Sequence, residues 1–245
     1  MSKPVPPRPL RSPFVSDKHE DMTHLAVFDW NGTLFDDTAA TLKATNSCLR
    51  SFGRPEIDLH TMQDTFSFPL IHFYERMGVP VDEYLARADE EGSVFLKTYE
   101  DAATQCSIMD GAFELLEWLN ANDVHCMVLS NHLQHCLDCD VVNLGIAPYM
   151  KHISGNETKA TITQGLSKQI RLEAYMEEHG FTADKTFIIG DSHEEPELAK
   201  RLGILGISIA GGLLSAARLE KYKADYVIQK LSELRPILQN RWNLA

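Results

Sequence analysis

Residues 27–37 read VFDWNGTLFDD. An apolar run stops at Asp29, and the Asn31-Gly32-Thr33 that follows is turn chemistry. The longer segment THLAVFDW, residues 23–30, therefore reads as a buried strand that ends in an acidic residue. Two later segments repeat the pattern. HCMVLSNH at 125–132 is an apolar strand passing into Ser130 and Asn131, and TFIIGD at 186–191 is another that ends in Asp191.

Between and after these strands the apolar spacing changes to three and four. TAATLKATNSCLRSF, FPLIHFYERMG and VDEYLARADEEGSVFLKTYED read as helices that fill the stretch from Asp36 to about Ser107. MDGAFELLEWLNANDV predicts a capped helix, and a short apolar segment surrounds KHIS at 151–154. A helix from about Leu166 to His179, the helix PELAKRLG, the strand ILGISI, the helix SAARLEKYK and the short strand ADYVI complete the pattern. Strands alternating with helices imply βαβ units and a parallel α/β sheet, so the block of helices after the first strand is an insertion. The expected organisation is a tail over residues 1–22, a core formed by 23–35 and 108–245, and a helical insertion at 36–107. On such sheets ligands bind at the carboxyl ends of the strands, which would gather Asp29, Ser130 and Asp191 at one edge.

The composition narrows the partners. With 35 Asp and Glu against 23 Lys and Arg the formal charge is −12, which argues against nucleic acid, whose binding rests on cationic neutralisation of phosphates. The longest apolar stretch, LGILGISIAGGLL at 202–214, falls short of the about 18 residues of a membrane span and is broken by glycines. The leader MSKPVPPRPLRSPFVSDKHEDM lacks the apolar centre of a secretory signal. Five cysteines in no paired framework suit a reducing compartment, so the chain is expected to be cytoplasmic, with no membrane partner.

The order and spacing of these segments resemble the haloacid dehalogenase superfamily over residues 24–234. Asp29-Trp30-Asn31-Gly32-Thr33 matches its Asp-x-Asp-Gly-Thr, Ser130-Asn131 its second motif, and Lys168, 23 residues before Asp191, its lysine. Gly190-Asp191-Ser192 with Glu195 matches the last motif, with Glu195 longer than the usual Asp. Within the family the layout is most similar to the phosphoglycolate phosphatase group. The resemblance implies a three-layered Rossmann-like core with a helical cap, and Mg²⁺-dependent hydrolysis of a small phosphorylated metabolite through an aspartyl phosphate. It assigns catalysis to Asp29, Asn31 and Lys168, the phosphate to Ser130, Asn131, Lys168 and Gly32, and the metal to Asp29, Asp191 and the main-chain carbonyl of Asn31. Gly32 and Gly190 would allow close approach of the backbone to the phosphate. By spacing Lys168 is favoured over Lys159.

The chemistry fits these residue types. A carboxylate can attack phosphorus, splitting one hard displacement into two easier ones. Two carboxylates at adjacent strand ends repel unless a cation lies between them, and an all-oxygen set suits Mg²⁺. In phosphatases of the family the residue two after the nucleophile is the acid that protonates the leaving oxygen. Here it is Asn31, whose carboxamide has no useful pKa. Such acid–base catalysis is worth about 10² to 10⁴ in rate. Three readings stay open: a substrate with a good leaving group, including a phosphonate-type one with a cap lysine such as Lys43; another acid, with His193, His132 or Asp36 in reach; or a protein that binds a phosphorylated ligand without turnover. HLQHCLDC at 132–139 carries zinc-type ligands without a closed zinc spacing, and Phe66, Phe68, Phe73 and Tyr74 read as core of the insertion.

Overall fold

The computed structural model describes residues 24–67, 70–88, 94–157 and 167–245. The expected tail lies outside these, as do Phe68 and Lys159. Six strands form one sheet: β1 His24–Phe28, β2 Val124–Leu133, β3 His152–Asn156, β4 Thr186–Gly190, β5 Leu205–Ile209 and β6 Tyr226–Ile228. Their order is β3-β2-β1-β4-β5-β6 with every pair parallel.

Both faces of the sheet are covered, which is why its strands are continuously apolar rather than alternating. Successive residues of β1 split between two cores: Ala26 and Phe28 go to one, Leu25 and Val27 to the other. The first core is closed by α6 Ala112–Ala121, α7 Gln134–Asn143 and α11 Leu234–Trp242, and the second by α8 Ser167–His179 and α9 Glu194–Leu202. The remaining helix of this part is α10 Ala216–Tyr222.

The helical insertion is present as five described helices: α1 Thr38–Ser51, α2 Leu59–Thr65, α3 Leu70–Arg76, α4 Val81–Ala88 and α5 Val94–Ala103. Its core joins Leu49, Met62, Phe66, Phe73 and Tyr74 to Leu214 and Leu219, which follow β5. Several sequence expectations are corrected here. The long segment from Val81 is described as α4 and α5, with residues 89–93 outside the described residues, and α2 was not expected although Asp58 caps it by accepting from the Thr61 amide at 2.7 Å. The helix α11 was also not anticipated. The start of α6 has no side-chain cap, Gly111 standing at the N-cap with φ +78°.

The register explains where the strand ends meet. Phe28 pairs with Val128 on one side and Ile189 on the other, so the residues after them emerge together. Phe28 is fully buried and meets Phe187 edge-on at 5.7 Å. Truncating it to Ala should cost about 3–5 kcal/mol of stability, whereas removing the α2 cap with Asp58→Ala should cost only about 1 kcal/mol. Urea unfolding of the two variants checks that ranking, and equal losses would contradict it.

Candidate active site

Asp29 follows β1 directly, and its amide donates to the Ile189 carbonyl of β4 at 2.9 Å. That bond fixes the end of β1 against β4 and brings Asp29 beside Asp191, the first residue after β4. Lys168 enters from the first turn of α8, where it is 6% exposed. Its ammonium donates to Asp29 Oδ1 at 2.9 Å and to Glu195 Oε1 at 2.7 Å, with Glu194 Oε2 at 3.5 Å. Glu195 is wholly buried and also accepts from the Ser192 hydroxyl at 2.8 Å. It stands in the first turn of α9, where negative charge is favoured, but its carboxylate is committed to Lys168 and Ser192.

These charges shift one another. Burial pushes Asp29 up to about 7, against the opposing pull of Lys168, and Glu195 adds to the rise. Burial and then the Asp29 charge hold Asp191 well above the usual carboxylate range. Burial works against the Lys168 ammonium, yet Asp29, Glu195 and Glu194 outweigh it and raise its pKa. Burial likewise opposes ionisation of Glu195, but Lys168 wins and lowers it. Around one ammonium the site thus gathers more carboxylates than it can neutralise.

A hard cation fits that excess. Asp191 Oδ2 accepts the Leu213 amide at 2.6 Å, while Asp191 Oδ1 is buried with no hydrogen-bond partner. Asp29, Asp191 and the Asn31 carbonyl could supply oxygens, the donor class that Mg²⁺ and Ca²⁺ take. Among the described residues no three His, Cys, Asp or Glu side chains converge as a metal cluster, so main-chain and solvent oxygens would complete the set. Gly32, at φ +66°, leaves room that a Cβ would take from the Asp191 carboxylate. Gly190 similarly makes room for Glu195.

Ser130 is buried within β2, its hydroxyl accepting the His132 amide at 3.0 Å. Asn131 Nδ2 donates to Glu194 Oε2 at 2.7 Å, which links the second motif to Lys168. Glu194 was not anticipated from the sequence.

The Asn31 side chain is held in a closed arrangement with two residues that the sequence did not mark. Its Nδ2 donates to Asp37 Oδ2 at 2.7 Å and to the Tyr99 hydroxyl at 2.8 Å, and that hydroxyl donates to Asp37 Oδ2 at 2.6 Å. Asp37 also accepts the Gly32 amide at 2.9 Å and the Thr41 hydroxyl at 3.4 Å. Thus α5, which carries Tyr99, is tied to the turn after β1. Of the acids considered for the missing role, Asp36 is exposed, His193 packs 5.4 Å from Tyr222, and His132 faces Asp140 at 3.8 Å. The carboxylate beside Asn31 is Asp37. Lys43 is exposed on α1. In the HLQHCLDC segment His132 and Leu133 end β2 and the rest opens α7, so His132 does not share a helical face with His135, Cys136 and Cys139.

This arrangement predicts the outcome of exchanging the two residues. Asn31→Asp alone sets two carboxylates against each other and should cost about 1–3 kcal/mol. The double variant Asn31→Asp with Asp37→Asn reverses donor and acceptor and should regain most of that loss. Thermal unfolding of the singles and the double closes the cycle, and a double variant no better than the sum of the singles would contradict the direct bond.

The haloacid dehalogenase-like hydrolase family matches residues 26–209. Phosphoglycolate phosphatase 1 of Pseudomonas aeruginosa is 22% identical over 219 residues, covering 88% of this chain and 79% of the relative. A probable phosphoglycolate phosphatase of Pseudomonas putida is 23% identical over 212 residues, covering 84% and 82%. Among solved structures, a haloacid dehalogenase-like protein from Agrobacterium tumefaciens superposes with a TM-score of 0.68 at 20% identity, covering 89% of this chain and 98% of that one. A family hydrolase from Deinococcus radiodurans, solved with bound phosphate and sodium, gives 0.67 at 19%, covering 91% and 97%. With the family matched across most of its length and the strand-end acids and lysine assembled in one site, the chain belongs to the haloacid dehalogenase-like hydrolases.

Proposed function

We propose that the protein is a Mg²⁺-dependent phosphatase of a small phosphorylated metabolite that works through an aspartyl phosphate on Asp29. The observation that carries this reading is the buried Lys168 ammonium held against Asp29 at the strand ends, with an unpartnered Asp191 oxygen beside it. Similarity to proteins named phosphoglycolate phosphatase supports the same reaction class.

Lys168 holds Asp29 Oδ1, which leaves Oδ2 to attack phosphorus. The new P–O bond forms as the bond to the leaving oxygen breaks, and that oxygen departs with its electron pair. Lys168, the Ser130 hydroxyl and main-chain amides near Asn131 orient the phosphoryl oxygens. Water then attacks phosphorus, breaks the bond to Asp29 and releases phosphate. Bound Mg²⁺, held by Asp29, Asp191 and the Asn31 carbonyl, would neutralise phosphoryl charge throughout. The helices of 36–107 act as a cap in this reading, α5 meeting the core turn through Tyr99.

Asn31 cannot protonate the leaving oxygen, and Asp37 is an acceptor for four donors in this arrangement. The substrate must therefore leave without strong proton assistance. A second reading, a protein that binds a phosphorylated ligand without turning it over, draws on the same feature.

Phosphate release from acetyl phosphate, with Mg²⁺ and then with chelator, separates the two. The enzyme reading predicts metal-dependent release that Asp29→Asn reduces by at least about 10³-fold. No release, with inorganic phosphate still bound, would favour the binding protein.

A further inference from the structure

The helical block and the core enclose a cavity of about 1150 Å³ next to the site. Asn131 lies on its wall, and Tyr99 lines both this cavity and a smaller one of about 190 Å³ that contains Asn31, Gly32 and Asp37. The larger cavity thus meets the smaller one, which holds Asn31 and Gly32, along Tyr99. It is wide enough for a ligand of drug size.

Its walls are aromatic. Phe35, Phe52, Tyr74, Tyr84, Phe95 and Tyr99 all face it. Phe95 and Tyr99 lie parallel within 6°, with centroids 6.0 Å apart, and Tyr74 stacks on Tyr84 at 4.8 Å. Flat rings of this kind accept a further ring by offset or edge contact.

The charges are the second observation. Among the described lining residues of the larger cavity the fixed charges are Arg87, Glu100 and Asp140. The Arg87 guanidinium donates to the Ser51 carbonyl at 2.9 Å and lies 4.5 Å over the Phe52 ring. Burial holds His132 below its usual range, so it adds no cation at neutral pH. In the smaller cavity the charged lining residue among those described is Asp37. A leaving group with its own carboxylate, such as glycolate, would meet Glu100, Asp140 and Asp37 there, against Arg87 as the one fixed cation among the described lining residues.

The third observation is Asn31. An alkoxide leaves poorly, its parent alcohol being nearly as weak an acid as water, whereas a phenol ionises at about 10. A site that supplies no proton therefore penalises alkyl esters by the about 10² to 10⁴ that general acid catalysis is worth.

We propose that the substrate class is an aryl phosphate whose leaving group carries no second negative charge and whose ring is seated in the aromatic cavity beside α5. This rests on the phosphatase reading above. In the first step the P–O(aryl) bond breaks as the bond to Asp29 Oδ2 forms. The phenolate departs with the electron pair and takes its proton from solvent.

The test compares kcat/KM of the full chain with Mg²⁺ for 1-naphthyl phosphate, phosphoglycolate and acetyl phosphate. Acetyl phosphate is small and has a good leaving group, so it reports the phosphoryl chemistry without the cavity. Ala103→Trp and Cys136→Phe, both on the cavity wall and outside the catalytic set, fill the space. The proposal predicts 1-naphthyl phosphate at least about 100-fold ahead of phosphoglycolate. It also predicts a rise of about tenfold in KM for the naphthyl ester in either variant, with acetyl phosphate unchanged. Acetyl phosphate turnover with phosphoglycolate equal or preferred, or a naphthyl KM indifferent to both fillings, would overturn the proposal and leave the phosphatase reading intact. Absence of metal-dependent release from all three would overturn that reading, and the proposal with it.

Discussion

A single ammonium buried among carboxylates organises this molecule. Lys168 is 6% exposed and meets Asp29 and Glu195 within 2.9 Å, so neither side of the bridge could be buried without the other. Removing one partner from such an arrangement typically leaves an uncompensated charge that costs about 3–5 kcal/mol. The sheet exists in the register that makes the bridge possible: Phe28 level with Val128 and Ile189 sets Asp29 and Asp191 at adjacent strand ends. The first turn of α9 brings Glu195 to the same point, and the first turn of α8 brings Lys168. What the bridge does not balance is Asp191, whose Oδ1 is buried without a hydrogen-bond partner.

Asn31 stands just outside this charge balance and answers to a different neighbour. Its amide serves as donor to Asp37 and contacts the hydroxyl of Tyr99, so it joins the core turn to α5. A carboxylate at 31 would meet the Asp37 carboxylate across the same short gap. Asn31 therefore belongs to a pair with Asp37, and in the proposed reaction it would offer the leaving group hydrogen bonds but no acid. The aromatic cavity meets the smaller one that holds this pair along Tyr99.

The sheet and half of the site were legible in the sequence because both are local signals. An apolar run that stops at Asp29, Ser130 or Asp191 states a buried strand and its functional end in one stretch. Lys168 was legible by its distance from Asp191, though nothing local distinguishes it from a surface lysine. The remainder depends on folding. Tyr99 reaches Asn31 from 68 residues away through the packing of α5, which no spacing reveals. Asp37 stands at the N-cap of α1, but its side chain turns back to Gly32 and Asn31 instead of capping. Glu194 looks like one more acid in a first turn, and only the approach of α8 gives it Lys168 as a partner. The helices of the insertion were misjudged where α2 was too short to show a period.

Mass spectrometry of the protein quenched in acid during turnover of acetyl phosphate with Mg²⁺ would decide whether the nucleophile is the group that Lys168 holds. A phosphoryl group on the peptide that contains Asp29, absent from Asp29→Asn, is the predicted result. Phosphate released with no acyl phosphate at Asp29, or with the label on another residue, would contradict the assignment of Asp29 as the attacking carboxylate.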